Sequence, residues 1–161
     1  MTPFLLREAK AGDDTFRYRL FLDTVAAEFM TLVGSQDLLQ IQYRAREMSY
    51  AEVFPGAEEK IVCLPDGSPV GRLLMFLQPG AMRLVDIGLS EPYRGQGIGS
   101  TLLKSLQQEC RGKRLWLELQ VARTNRAARL YLRLGFRVVS EDAMYVQMRW
   151  QPIDDGQRAD G

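Results

Sequence analysis

A glycine-rich segment, Arg94-Gly95-Gln96-Gly97-Ile98-Gly99, directly follows a strand-like segment and opens a helical one. Glycine takes positive φ angles and lets the backbone come close to a ligand. The free N–H groups of the first helical turn would then point into the loop, supported by the positive end of the helix dipole. The stretch therefore predicts an anion site suited to a phosphate or a pyrophosphate, at which Arg94 can add a charged fork.

The spacing of these glycines excludes two common phosphate-binding motifs. A dinucleotide-binding loop reads G-x-G-x-x-G, whereas the glycines here stand at 95, 97 and 99. The Gly-Lys-Ser/Thr of a P-loop is absent from the sequence. On the residues alone, a tight turn and helix cap remains the structural alternative to a ligand site.

Strand and helix patterns continue on both sides of the loop. Turn signals such as Pro65-Asp66-Gly67-Ser68 separate three consecutive strands before it, and such short connections predict an antiparallel meander. The predicted order is β-α-α-β-β-β-α-β-α-β-β, a mixed α/β fold with helices on the faces of a mostly antiparallel sheet. The predicted strands are 4–6, 60–64, 70–77, 82–89, 115–121, 136–139 and 144–150, and the predicted helices begin near 15, 38, 97 and 124.

Two of the helix predictions depend on particular side chains. Asp13 and Asp14 precede the first helix, where acidic groups can cap the backbone and suit the dipole. In the second helix an apolar face is predicted from residues that recur at spacings of three and four, namely Leu38, Ile41, Ala45 and Met48.

Length and composition are those of an ordinary globular protein. The chain has 161 residues, of which 46% are hydrophobic and 25% charged, and a formal net charge of +1. This length fits about one domain, so we predict a single domain over residues 1–150 and a polar, flexible tail over 151–161. No apolar run reaches the ~18 residues of a membrane span, and the first ten residues do not resemble a secretion signal.

Missing residue types exclude several chemistries. The sequence has no histidine and two cysteines, Cys63 and Cys110. It therefore lacks a Ser-His-Asp triad, a Cys-His pair and any His-based or four-Cys metal site, so no metal is predicted. Free thiols, favoured over a single disulfide, suit a reducing cytoplasm. Nucleic acid is not a predicted partner, because residues 81–161 hold only 13 basic against 9 acidic side chains. The aromatic residues also do not interleave with the arginines as a stacking surface needs.

Three segments together resemble the GCN5-related N-acetyltransferase family. The loop from Arg94 to Gly99 is similar to the family's pyrophosphate loop, Q/R-x-x-G-x-G/A, and residues 84–93 look like the strand and Pro-Tyr turn that lead into it. A third group of residues looks like the family's second coenzyme segment. It consists of Leu119-Gln120-Val121 followed by Asn125, Ala128, Leu130-Tyr131 and Gly135-Phe136. The combined spacing is specific, and it covers residues 84–136.

The resemblance implies a fold, a cosubstrate and an acceptor. It implies a sheet that splays where the strands ending near Leu89 and Val121 part, acetyl-CoA as the acyl donor, and a small-molecule or peptide amine as the acceptor. A homodimer is a further expectation from the family. Coenzyme contacts are implied for the backbone of Ile87 and Leu89, for the loop and for the second segment, that is for Arg94, Gly95, Gln96, Gly97, Ile98, Gly99, Ser100, Asn125 and Tyr131.

Acyl transfer to an amine gives individual groups a role. A backbone N–H near Leu89 would polarise the thioester carbonyl. The resemblance places Tyr131 beside the coenzyme sulfur, where a phenol of pKa ~10 can protonate the departing thiolate as a general acid. Packing against Leu130 and Leu134 is the structural alternative for this ring.

Other polar residues of the second segment have two interpretations each. Asn125 hydrogen-bonds the pantetheine arm or caps the helix that follows it. A basic stripe on that helix either faces solvent or contacts the ribose phosphate of the coenzyme; its members are Arg126, Arg129 and Arg133.

The general base is the least defined part of the predicted site. Asp86 is the candidate base, on the face of its strand opposite Ile87 and Leu89. Glu118 on the neighbouring strand is an alternative, and water chains that need no dedicated base are another.

The resemblance implies that the first 60 residues and the closing hairpin, predicted strands 136–139 and 144–150, shape the acceptor site. Glu28 and Glu47 could bind a cation there. The aromatic residues of the second helix either line an acceptor pocket or simply pack the helix on the sheet; these are Tyr43, Tyr50 and Phe54.

The sequence supports two functions. The first is an acyl-CoA-dependent N-acetyltransferase that moves an acetyl group to a primary amine by direct attack in a ternary complex. The alternative is a coenzyme-A-binding sensor or regulatory protein of the same fold without turnover. The amine and the length of the acyl group are not defined by the residues.

Overall fold

The computed structural model of the chain describes residues 3–25 and 36–153. The helices of this part are α1 (Asp14–Thr24), α2 (Gln36–Val53), α3 (Ile98–Lys113) and α4 (Ala127–Arg133). The strands are β1 (Leu5–Glu8), β2 (Glu58–Cys63), β3 (Pro69–Gln78), β4 (Ala81–Leu89), β5 (Trp116–Ala122), β6 (Arg137–Glu141) and β7 (Tyr145–Trp150). The predicted order of elements is confirmed, and short 3₁₀ turns at Ala11–Asp13 and Glu91–Tyr93 are added to it.

The strands of the described part form a seven-stranded sheet in the order β1-β2-β3-β4-β5-β7-β6. The pairs β1–β2, β5–β7 and β6–β7 are antiparallel, and β4–β5 is parallel. The registered β4–β5 pairs run from Ala81–Trp116 to Leu84–Leu119, whereas β4 continues to Leu89. The predicted mixed α/β class, a largely antiparallel splayed sheet flanked by helices, is confirmed.

The chain divides into two compact units. The first comprises residues 1–74 and 86–99, and the second residues 75–85 and 100–161. The core of the first unit includes Leu20, Leu39, Ile61, Val62, Val70 and Leu73, and that of the second includes Leu102, Leu103, Leu106, Leu117, Leu119, Phe136 and Met148. The assignment of one acetyltransferase domain to residues 1–150 stays a prediction, and residues 154–161 of the predicted tail lie outside the described residues.

The predicted apolar face of α2 is wrong. Ile41 and Met48 are 62% and 63% exposed, and Leu38 is also exposed. The buried residues of α2 are Leu39 and Tyr43, four apart on a different face. The same helical period fits both faces, so the spacing alone does not identify the buried one.

The predicted cap of α1 is also corrected at Asp13. This residue holds the N-cap position, but its side chain makes no cap hydrogen bond to α1. Its carboxylate instead accepts from Arg7 Nη1 and Nη2 at 2.9 and 2.7 Å, and from the Lys10 backbone N–H at 2.7 Å. Asp13 therefore ties β1 to the start of α1.

The thiols of Cys63 and Cys110 are free, as predicted, and both are buried. No helix in the described residues is long and apolar enough to cross a membrane.

Candidate active site

The glycine loop of the first unit has the backbone conformation that its sequence predicts. Gly95 and Gly97 have φ angles of +73° and +85°, which side chains other than glycine rarely adopt. The loop leads directly into α3, whose first residue is Ile98. A Cβ atom built at Gly95 would meet nothing within 4 Å. The loop thus lies open beside a helix N-terminus, where unpaired N–H groups favour an anion.

Arg94 uses part of its guanidinium to hold the loop. Its Nε donates to the carbonyl of Leu89 at 3.0 Å, and Nη2 donates to the carbonyl of Asp23 at 3.3 Å. The Gln96 side chain donates to the carbonyl of Pro92 at 2.9 Å. These bonds fix the loop to the ends of β4 and α1. The predicted contact of Arg94 with a phosphate stays a prediction.

The end of β4 is held by a close approach from β3. A Cβ atom at Gly71 would come within 2.7 Å of both the Gly88 carbonyl oxygen and Leu89 Cδ2. The backbone N–H of Ser90 also donates to the Val70 carbonyl at 2.8 Å. The backbone of Ile87 and Leu89, predicted to contact pantetheine, therefore sits in a tightly packed part of the first unit.

Asp86 lies on β4 beside a buried arginine that the sequence analysis missed. Arg72, on β3, is 4% exposed. It donates to both carboxylate oxygens of Glu47 at 2.7 and 2.9 Å and to Glu59, and its Nη1 is 3.5 Å from Asp86 Oδ2. Arg17 binds Glu59 from α1 at 2.7 Å. Arg72 is the one charged residue within the otherwise mostly apolar sequence of β3, and this pattern could have identified it as a buried, paired arginine.

Burial changes the proton affinity of two groups in this cluster. It raises the pKa of Asp86 above its ordinary value, against the opposing charges of Arg46 and Arg72. It also raises the pKa of the Tyr50 phenol to about 12, with a further contribution from the charge of Asp86. A carboxylate with a raised pKa is a better proton acceptor near neutral pH than an ordinary one.

The other predicted acceptor-half residues have structural partners where they are described. Glu47, a candidate for cation binding, is the bidentate partner of Arg72. Tyr43 is buried and donates its hydroxyl to Asp14 at 2.7 Å, so packing is its observed role. Glu28 lies outside the described residues.

The remaining predicted site residues belong to the second unit. Ser100 lies in the first turn of α3. Asn125, which precedes the N-cap residue of α4, accepts through Oδ1 from the Ala127 backbone N–H at 2.9 Å. Tyr131 is buried, and its ring meets Phe136 edge-on at a centroid distance of 5.6 Å. Glu118, the alternative base, is paired with Arg149 at 3.1 Å.

The basic stripe of α4 and its N-cap residue is exposed, as both of its interpretations require. All three of its members, Arg126, Arg129 and Arg133, are exposed. Among residues 3–25 and 36–153, no group of three or more His, Cys, Asp or Glu residues is arranged to hold a metal ion.

Known structures resemble the chain over nearly its whole length. PaiA N-acetyltransferase from Thermoplasma acidophilum, in complex with coenzyme A, is 18% identical, with 93% of this chain and 99% of that chain covered and a TM-score of 0.67. An acetyltransferase from Thermus thermophilus is 21% identical, with coverages of 94% and 97% and a TM-score of 0.68. The ribosomal-protein-S18-alanine N-acetyltransferase from Escherichia coli is 16% identical, with coverages of 94% and 96% and a TM-score of 0.65. At these identities the likeness shows the fold alone.

The sequence profile of the Acetyltransferase (GNAT) family matches residues 21–136. No curated protein matches the chain in sequence. The profile spans both coenzyme segments that the sequence analysis identified, and the chain belongs to this family. Acyl transfer is therefore its class of chemistry.

Proposed function

We propose that the protein is an acyl-CoA-dependent N-acetyltransferase that transfers an acetyl group from acetyl-CoA to a primary amine in a ternary complex. The observation that carries the proposal is the loop at the N-terminus of α3, with Gly95 and Gly97 at positive φ. It is supported by membership of the acetyltransferase family and by the coenzyme A complex of a protein of the same fold.

The loop fits the pyrophosphate of the coenzyme. The space beside Gly95 is open, and a helix of 16 residues follows the loop. We propose that the backbone from Gly95 to Ser100 binds the pyrophosphate and that Arg94 and Gln96 support this loop. Asn125 and the backbone of Ile87 and Leu89 are the proposed contacts of the pantetheine arm.

The acyl donor supplies an activated thioester, and the chain supplies the proton transfers. We propose that Asp86 takes a proton from the acceptor ammonium, which leaves a neutral amine. The amine nitrogen then bonds to the thioester carbon while the backbone N–H of Leu89 stabilises charge on the carbonyl oxygen. As the carbon–sulfur bond breaks, Tyr131 protonates the sulfur, and the second amine proton restores the phenol through solvent. The products are the amide, free coenzyme A and one proton, initially on Asp86.

Three further properties belong to the same proposal. Acetyl rather than a longer acyl group is supported by the acetyltransferase names of the family and of proteins with this fold. A cytoplasmic location is supported by the two free thiols. A homodimer is supported by the family resemblance only.

The test is release of coenzyme A from acetyl-CoA, read by mass, across polyamines, aminoglycosides, amino acids and peptides. We expect release with one amine class, and a loss of roughly 100-fold or more in kcat in Tyr131→Phe, which keeps the ring against Phe136 but removes the proton. Tyr145→Phe, which removes an exposed hydroxyl from β7, is the control and should have native turnover. Unchanged turnover in Tyr131→Phe would remove the acid role. Coenzyme binding with no release from any amine would favour the sensor function instead.

A further inference from the structure

Three polar groups of the first unit have hydrogen-bonding capacity that their neighbours leave unused. The buried Nε–H of Arg46 has no acceptor among the residues that the structure describes. Within the same described ranges, the Tyr50 hydroxyl makes no hydrogen bond and contributes only its ring to cation–π contacts. Asp86 has one long contact, at 3.5 Å from Arg72. A buried donor is normally satisfied in native proteins, so the Arg46 Nε–H, with the Tyr50 hydroxyl and the Asp86 carboxylate in the same cluster, points to a ligand.

Arg46 is held among aromatic rings rather than by carboxylates. Its Cζ atom lies 5.0, 5.6 and 6.0 Å from the ring centroids of Phe21, Tyr50 and Tyr43. Its ion-pair contact, to Glu47, is 3.5 Å long, and its side chain is 27% exposed. Rings that pack on a guanidinium leave its N–H edge for hydrogen bonding, and that edge matches the two oxygens of a carboxylate.

Most charged side chains of this cluster form short ion pairs, and one cation and one anion remain incompletely paired. Arg72 is bidentate to Glu47, and Arg17 binds Glu59 at 2.7 Å. The incompletely paired groups are the Arg46 guanidinium and the Asp86 carboxylate, whose side chain is 22% exposed. A ligand that complements both carries one ammonium and one carboxylate. A polyamine would add positive charge that nothing in this arrangement balances.

We propose that this cluster recognises the acceptor and that the acceptor is an amino acid, its carboxylate on Arg46 and its amino group at Asp86 beside the Tyr50 hydroxyl. The inference rests on the proposed function, since it assigns the substrate of that reaction. It makes Arg46 a specificity-determining residue. Asp86 then both binds the ammonium and removes its proton, and Arg72 is a positioning residue that holds Glu47 and Asp86 in place.

The experiment compares each amino acid with the amine that lacks only its carboxylate, for example leucine with isoamylamine and phenylalanine with phenethylamine. We expect kcat/KM for coenzyme A release to be roughly 10- to 100-fold higher with the amino acid, as fits a charged hydrogen-bonded pair. Arg46→Gln should lower kcat/KM for the amino acid roughly 10- to 100-fold more than for the plain amine, because only the amino acid loses a charged hydrogen-bonded pair, whereas both lose the charge that acts on Asp86. Arg44→Gln, at an exposed arginine of the same helix, is the matched control and should keep the preference.

Binding measured without turnover separates this inference from the proposed reaction. Calorimetric titration of the native protein with the amino acid should give heat of binding that Arg46→Gln loses and Arg44→Gln keeps. If binding depends on Arg46 but no amine releases coenzyme A, the recognition site stands and acetyl transfer fails. Equal kcat/KM for the paired compounds in the native protein would overturn the inference, as would an equal loss for both in Arg46→Gln. Melting curves of the two variants identify any loss that comes from unfolding.

Discussion

Asp86 is set apart from the other carboxylates of its cluster by how weakly it is paired. Glu47 and Glu59 each bind an arginine at short range, whereas Asp86 has a contact of 3.5 Å and a pKa that burial raises. A base of this kind is protonated at acid pH and becomes active as the pH rises through its raised pKa. The residue is therefore a stronger base than a carboxylate with an ordinary pKa.

The pH dependence of kcat/KM should reflect the ionisation of Asp86. The native kcat/KM should rise with pH to a midpoint above the ordinary carboxyl pKa of ~3.9. Asp86→Asn should lose that limb and fall by roughly 100-fold, while any rise due to the amine itself remains. The measurement is the kcat/KM profile from pH 4 to 9. Glu118→Gln, which removes the alternative base, should keep the native profile; superimposable native and Asp86→Asn profiles would remove Asp86 from the mechanism.

At the scale of the element, the packing of β3 against the end of β4 positions the proposed oxyanion donor. Gly71 allows the approach because any larger residue there would meet the Gly88 carbonyl and Leu89 at 2.7 Å. Gly71→Ala should force these atoms apart and destabilise the fold by about 1–3 kcal/mol, the usual cost of overpacking. Coenzyme binding should weaken as well, because the displaced backbone is its proposed partner.

Urea unfolding and coenzyme titration check this expectation in the same variant. Gly12→Ala is the matched control, because a Cβ atom there would meet nothing within 4 Å. If Gly71→Ala has native stability and native coenzyme affinity, the close approach has no role in holding β4.

Local and long-range features of these elements differ in how far the sequence predicts them. The loop from Arg94 to Gly99 and the order of strands follow from glycines, turns and periodicity, all of which act over a few residues. The buried cluster does not, since Arg72 meets Glu47 from 25 positions away, across α2 and β3. The hydrophobic period predicts the helix α2 but not its buried face. Spacing shows which residues share a face of the helix, but not which face packs against the rest of the protein. The strand pattern predicts Asp86 as a candidate, but its pKa is raised by burial, which follows from the packing of segments far apart in the sequence.

For the whole molecule, the tie between β1 and α1 contributes stability that depends on pH. The Arg7 guanidinium holds the pKa of Asp13 at about 2, below its ordinary value of 3.8. A carboxyl group whose pKa is lower in the folded state stabilises the fold above its unfolded pKa, and this contribution is lost as the pH falls through the folded value. Asp13→Asn should therefore cost on the order of 1–2 kcal/mol at pH 7, after a discount for the partial exposure of Arg7.

The difference between native and Asp13→Asn unfolding free energies, measured in urea from pH 7 down to pH 2, should shrink mainly below pH 4. Glu52→Gln alters an exposed carboxyl of α2 and should have no such trend. A difference that stays constant over this range would show that Asp13 acts through packing and not through its charge.

The two compact units each contain one buried cysteine. Cys63 ends β2 in the first unit, and Cys110 lies on α3 in the second. Burial raises the pKa of the Cys110 thiol to about 11, and thiol reagents attack the thiolate only where they can reach it. Labelling at each sulfur must therefore wait for the surrounding structure to open. The labelling rates of Cys63 and Cys110 therefore report separately on the opening of the two units. Each rate can be measured from the mass of the labelled peptide.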